Sequence, residues 1–260
     1  MAKRGAYDEG NFELNESYRE IRTYVTINKN IKTILVTSAE MDEGKTTIIC
    51  NLAKCFSELE GVRVLLIDCD FRKRGVSRYF GIENSFGVSD IVFGNNKKSE
   101  CIKKVGDLDI ITSGGVPSNT SILLNSQSMK DLVSKLREEY DYVFIDSPPI
   151  CRLNDACIIT QYVDGTIIVN AAKAIDSKGA KITLDKLNKV GANIIGVVLN
   201  KFKAEKYSYY SNYLYNYLNN YLHNYLNNYL NNYLNSYLNS CLNYYCSFLS
   251  MNQLDNYKLN

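Results

Sequence analysis

The chain has 260 residues, 45% hydrophobic and 22% charged, with a formal net charge of +2. That is room for one α/β domain of about 200 residues with a sizeable core, plus an appendage. No run of about 18 apolar residues and no secretory leader pattern is present, so neither a membrane span nor a signal peptide is expected. The charge balance makes no case for nucleic acid as a partner.

The amino-terminal segment, residues 1–30, contains Glu16-Ser17-Tyr18-Arg19-Glu20-Ile21-Arg22. Acid and base three residues apart suit one helix face, where each ion pair contributes a few tenths of a kcal/mol. Residues 31–206 then alternate short apolar runs with helical stretches. Strands are expected at 31–38, 63–68, 108–112, 142–146, 165–170 and 194–200. They are rich in Ile, Val and Leu throughout, as strands buried on both faces are. Helices are expected at 46–58, 126–139, 155–161 and 177–189. This alternation predicts a doubly wound, mainly parallel α/β sheet whose ligands bind at the carboxyl ends of the strands.

The first strand runs into Ala39-Glu40-Met41-Asp42-Glu43-Gly44-Lys45-Thr46-Thr47. From Ala39 this is the Walker A pattern in its proper context of strand, loop and helix. Backbone N–H groups at the start of the helix can cradle phosphates. Lys45 is placed to reach the β- and γ-phosphates and the Thr46 hydroxyl to bind Mg²⁺. Two further strands end in acids, Asp68 with Asp70 just beyond it, and Asp146. A carboxylate there can hold the metal directly or through water. In an extended segment Asp68 and Asp70 face one side and Cys69 the other. The basic runs Arg72-Lys73-Arg74, Lys97-Lys98 and Lys103-Lys104 read as solvated surface; beside the site, Arg72 and its neighbours could instead meet phosphate or an acidic partner.

The eight Cys show no CxxC spacing and several lie in apolar runs, which suits buried thiols in a reducing compartment rather than a disulfide frame. The single His, His223, argues against His-centred catalysis.

Composition changes sharply at residue 207. Residues 207–260 hold one acid, one base and 14 of the 21 Tyr. From Tyr213 to Tyr237 a Tyr recurs every four residues, each followed by Leu, in a unit Tyr-Leu-x-Asn. A four-residue period drifts by about 40° per repeat on a helix, so it makes no fixed packing stripe. The tail therefore reads as low-complexity and non-globular.

Taken together, the Walker A segment, Leu65-Leu66-Ile67-Asp68-Cys69-Asp70-Phe71-Arg72 and Phe144-Ile145-Asp146-Ser147-Pro148-Pro149 resemble the bacterial protein-tyrosine kinases of capsule and exopolysaccharide systems, in their split form. Residues 112–119 with Leu123-Leu124 are similar to that family's Gly…Pro-Asn…Leu-Leu loop, and Gly196–Asn200 to its last strand, whose Asn lies by the adenine. The resemblance implies a Mg·ATP-dependent tyrosine autokinase. Lys45, Asp68 and Asp70 would be catalytic, and Thr46, Asp68 and Asp146 would hold Mg²⁺. Ala39, Asp42, Glu43, Gly44, Lys45, Thr46, Thr47 and Asn200 would bind the nucleotide. It implies a ring-like homo-oligomer joined through Glu16, Arg19 and Arg22, and acceptors on a neighbour's tail among Tyr207, Tyr209, Tyr210, Tyr213, Tyr215 and Tyr217. It further implies a membrane-anchored activator, protein Tyr substrates and a cytoplasmic position at the inner membrane face. Met41-Asp42 depart from the family's usual Pro-Gly and place an acid beside the phosphates. Two other readings stay open: an inactive nucleotide-gated scaffold, and a partitioning-type P-loop ATPase. Against the second, Glu40 stands where that group needs a Lys.

Overall fold

A computed structural model describes residues 12–28, 30–172 and 178–201. The Tyr-rich tail, with all six candidate acceptor tyrosines, lies outside the described residues, as does the segment before the first helix, residues 1–11.

The chain opens with α1 (Phe12–Ile27), then β1 (Thr33–Ser38), α2 (Lys45–Ser57) and β2 (Val64–Asp68). Three short helices follow, α3 (Gly75–Phe80), α4 (Val88–Val92) and α5 (Lys98–Cys101), before β3 (Ile102–Val105) and β4 (Leu108–Ile111). Then come α6 (Thr120–Asn125), α7 (Gln127–Glu139), β5 (Tyr142–Asp146), α8 (Asp155–Ile159) with a 3-10 turn (Thr160–Tyr162), β6 (Gly165–Ala171), α9 (Lys178–Lys189) and β7 (Ile194–Asn200). The six expected strands are present. β3 and helices α3 to α6 are additions that the sequence pattern did not indicate. β3 is four residues long, Ile-Lys-Lys-Val, and only half-buried, so it carries no continuous apolar signal.

The strands form one seven-stranded sheet in the order β3-β4-β2-β5-β1-β6-β7. Every pairing is parallel except β3 with β4. Alternation along β1 explains the two layers. Ile34 and Val36 face α1 and α2, together with Leu66, Phe144 and Ile167. Leu35 faces the other layer with Ile67, Ile145, Met129 and Leu136. Phe56 of α2 sits edge-on to Tyr142 and Phe144, with ring centroids 4.6 and 5.1 Å away. Such contacts add to the area term of about 25 cal/mol per Å².

Helix α1 buries Tyr18, Ile21 and Val25, the i, i+3, i+7 stripe of an amphipathic helix, against α2. The Asn51 amide donates to the Tyr18 hydroxyl at 2.9 Å. Ser126 caps α7 by accepting from the Met129 amide at 3.2 Å. The six cysteines among the described residues form no disulfide, and five of them are buried. Cys69 is fully buried in the layer opposite α2.

The sheet order decides the geometry that follows. β2 and β5 are neighbours in a register that pairs Asp68 with Asp146. β1, which feeds the phosphate loop, lies on the other side of β5.

Candidate phosphate-transfer site

The loop from Ala39 to Gly44 joins β1 to α2 at the carboxyl edge of the sheet. Gly44 precedes the helix with φ 94°, a left-handed conformation that favours glycine. A second constraint acts at the same point. The Asn200 side chain, from the end of β7, donates to the Glu43 carbonyl at 2.9 Å. A Cβ on Gly44 would fall 2.0 Å from its amide nitrogen. Only glycine allows β7 to brace the loop so closely.

Glu43 staples the loop from inside. Its carboxylate accepts from the Glu40 amide at 2.8 Å and from the Ala171 amide, at the end of β6, at 3.3 Å. Burial raises its pKa, and the amide donors offset part of that rise. The Ala39 carbonyl accepts from the Cys151 amide at 3.2 Å. Thr47 is exposed on the first turn of α2. Glu40 pairs with Arg152 at 3.0 Å.

Lys45 is buried, and its ammonium donates to Asp70 at 3.2 Å and lies 3.5 Å from the Thr46 hydroxyl. Burial alone would lower its pKa. Asp146, Asp70 and Asp68 outweigh that and hold it above the usual lysine value, so the cation is secure. The Thr46 hydroxyl donates to Asp146 at 2.7 Å. The first residue of α3, Gly75, leaves so little room that a Cβ there would meet the Thr46 methyl at 2.8 Å.

The three acids differ in their environments. Asp68 gives one oxygen to the Asp70 amide at 3.0 Å and the other to the Val76 amide at 3.1 Å. The ladder continues to Cys69, whose amide donates to the Asp146 carbonyl at 2.9 Å and whose side chain packs in the opposite layer, while Asp68 and Asp70 both act on Lys45; the chain turns only from Phe71. Asp70 faces Lys45 with one oxygen and accepts the Lys73 amide at 3.0 Å with the other. Asp146 is fully buried, and its second oxygen has no hydrogen-bond partner. Burial raises the Asp68 carboxyl well above the usual range, with Asp146 adding to it. Burial also raises Asp146, against the pull of Lys45 and Thr46.

Three buried carboxylates around one ammonium leave a surplus of negative charge. An uncompensated charge of this kind is costly inside a protein. The Thr46 hydroxyl and the unpartnered Asp146 oxygen are hard donors that fit Mg²⁺. Among the described residues no three acid, His or Cys side chains make a complete metal cage. Mg²⁺ in phosphoryl-transfer sites usually takes its remaining ligands from phosphate and water.

A polar cluster that sequence reasoning left unassigned borders this centre. Arg72 donates to buried Asp155 at 2.8 Å and to the Thr120 hydroxyl at 2.9 Å. Ser121 donates to the other Asp155 oxygen at 3.2 Å. The cluster pins the α6 loop to the segment that carries Asp70. Its one sequence signal is an arginine four residues past the acidic end of β2. Lys98 pairs with Glu139, and Lys104, 78% exposed, lies 3.5 Å from Asp109, as surface lysines do.

The expected oligomer residues lie on α1. Arg19 pairs with Glu16 on an exposed face. Arg22 donates to the Cys55 carbonyl in the last turn of α2 at 2.7 Å, so one of its roles lies within the chain.

Comparison with known proteins places this arrangement. The protein family described as AAA domain matches residues 31–200. The tyrosine-protein kinase YwqD of Bacillus subtilis (strain 168) is 33% identical over 204 residues, 76% of this chain and 86% of that protein. The tyrosine-protein kinase wzc of Salmonella typhi is 33% identical over 205 residues, 76% of this chain and 28% of that longer protein. The crystal structure of the chimerical protein CapA2B2 matches with a TM-score of 0.73 at 27% identity, covering 78% of this chain and 91% of that one.

Proposed function

The chain belongs to the bacterial tyrosine-protein kinases of capsule and exopolysaccharide synthesis, and on that premise we propose that it transfers the γ-phosphoryl group of Mg·ATP to tyrosine hydroxyls, first on its own tail in trans. The observation that carries this reading is the convergence of Lys45, Thr46, Asp70 and Asp146 where β1, β2 and β5 end.

The loop amides before α2 hold the polyphosphate, and Lys45 neutralises charge on the transferred group. Thr46 and Asp146 would hold Mg²⁺, which would supply positive charge to the phosphate oxygens. Asp70 orients the tyrosine hydroxyl and accepts its proton as the oxygen bonds to the γ-phosphorus. The bond from that phosphorus to the bridging oxygen breaks, and ADP departs with the electron pair. Asp68 anchors both the turn that carries Asp70 and the start of α3, and would stand beside Thr46 and Asp146 as a further ligand to Mg²⁺. Phosphoryl transfer depends on this kind of positioning and charge neutralisation.

The same proposal assigns Tyr207, Tyr209, Tyr210, Tyr213, Tyr215 and Tyr217 as acceptors, and Glu16, Arg19 and Arg22 as the ring contact. Each phosphate adds about −1.5 to −2 charge, so several on one tail loosen the ring by repulsion. A separate membrane-anchored activator would hold the kinase at the inner membrane face. In wzc the matching stretch is part of a longer chain, and among the described residues here no helix is long and apolar enough to cross a membrane. Family membership supports a role in controlling polymer synthesis.

The test is autophosphorylation with Mg·ATP, read as phosphotyrosine, in wild type, Lys45→Met and a chain ending at Lys206. Signal lost in both variants is the expected result. Signal kept in the truncated chain places the acceptors elsewhere. Absence of signal in wild type that still binds ATP, with and without an activator segment, replaces the kinase by the scaffold reading.

A further inference from the structure

Two cations at the mouth of the phosphate loop have no role in the reading above. Lys73 Nζ lies 2.5 Å from a carboxylate oxygen of Asp42. Lys201 Nζ donates to the Asp42 carbonyl. Asp42 is therefore the point at which three segments meet: the phosphate loop, the turn after β2 and the end of β7. It holds a left-handed backbone, φ 62°, which Asp and Asn tolerate better than most residues. Its side chain is 81% exposed, while the Lys73 side chain is 39% exposed and reaches across the mouth.

Lys73 is also bound at its other end. Its backbone amide donates to Asp70, the acid that faces Lys45. The ammonium is thus carried by a turn fixed to the reacting centre, and only its tip is held by an exposed carboxylate. Exposed ion pairs are weak, roughly 0–1 kcal/mol. A bound polyphosphate offers the same ammonium several negative oxygens, which one carboxylate does not match. The carboxylate itself is repelled by those oxygens.

We propose that Asp42 and Lys73 form a charge clasp, in which Lys73 is a polyphosphate-binding residue held by Asp42 until nucleotide takes it over. This rests on the nucleotide-site reading above. Asp42 keeps Lys73 close to the mouth in the empty site but opposes phosphate, so Asp42 acts as a brake on affinity and Lys73 as a contributor to it. Neutral Asn at position 42 keeps the left-handed backbone and releases the brake. Met at position 73 keeps the stem, removes the cation and leaves Asp42 unneutralised beside the phosphates.

The experiment is calorimetric titration of Mg·ATP into the full-length protein, for wild type, Asp42→Asn, Lys73→Met and a Lys45→Met control, at low and high salt. Asp42→Asn is expected to bind about three- to fivefold tighter, and Lys73→Met weaker by a similar factor, the size one exposed pair supports. Both effects shrink at high salt. Unfolding midpoints for each variant report that the fold is intact. Asp42→Asn that binds no tighter, or Lys73→Met that binds like wild type, overturns the clasp while the nucleotide site stands. Wild type that binds no Mg·ATP, or Lys45→Met that binds as tightly as wild type, counts against the nucleotide-site reading instead, and failed wild-type binding overturns the clasp with it.

Discussion

The two ends of the sheet use aspartate in opposite ways. At the amino-terminal edge, Asp164 precedes β6 and all its capacity is used. One oxygen accepts from the Lys32 amide at 3.0 Å and from the Thr33 amide and hydroxyl, both at 2.9 Å. Arg137 donates to both oxygens, at 3.0 and 3.2 Å. Partial burial pushes its pKa up, but these donors win and hold it below the usual value. At the carboxyl-terminal edge, Asp68 and Asp146 are more deeply buried and share one lysine with Asp70. Burial there wins, and both are raised. Asp164 joins strands with both oxygens filled, and Asp68 likewise holds two amides; Asp146 keeps one buried oxygen without a partner, available for a ligand. The sign of the pKa shift separates the two uses even though the residue type is the same.

Replacing acids or their partner on either edge sharpens this contrast. The largest effect is expected from Lys45→Met, which removes the only buried cation among the described acids of the site. Phosphoryl transfer should fall by about 10³-fold, read in single turnover. Asp146→Asn comes next. It should lower turnover by about 10²-fold and abolish the Mg²⁺-dependent part of the rise in Tm with ATP, because a ligand that binds only the native state stabilises it. If Asp146→Asn keeps its full magnesium response, the assignment of the metal position fails.

Asp164→Ala should behave in the reverse manner. Leaving two amides, a hydroxyl and part of Arg137 unpaired is expected to cost about 2 kcal/mol in denaturant unfolding, with the Kd for Mg·ATP unchanged. The smallest effect is its pH dependence. A lowered folded pKa contributes stability that is present above the unfolded value of about 3.9 and lost as pH falls through the folded value. The stability gap between wild type and Asp164→Ala should therefore narrow below about pH 4. Asp68 and Asp146 have the opposite sign. Their folded pKa values are raised, so their ionisation costs stability as pH rises above the unfolded value, and Mg·ATP should offset that cost.

Much of the site was legible because its residues are punctuation between apolar runs. Lys45, Thr46, Asp68, Asp70 and Asp146 all stand where a strand ends or a helix begins, and a parallel sheet brings such ends to one edge. The helix over 126–139 was legible for a similar reason: its apolar period and Ser126 cap are local. β3 and the short helices were not, because four to six residues do not span enough of a period to register. The Arg72–Asp155–Thr120 cluster was not, because its three members come from separate segments and none belongs to a local pattern.

The sequence by itself determined the alternation of strand and helix, the phosphate loop and the acids that follow the strands. These depend on local chemistry: apolar side chains that must be buried, a glycine needed for positive φ, and hydroxyl and carboxylate groups at fixed spacing. Only the tertiary structure decided which strands are neighbours, and with that the register opposing Asp68 to Asp146, the brace from Asn200 onto Gly44 and the reach of Lys73 to Asp42. Those contacts join residues far apart in the chain, and their distances are set by how the two buried layers pack on the sheet, which no window of sequence contains.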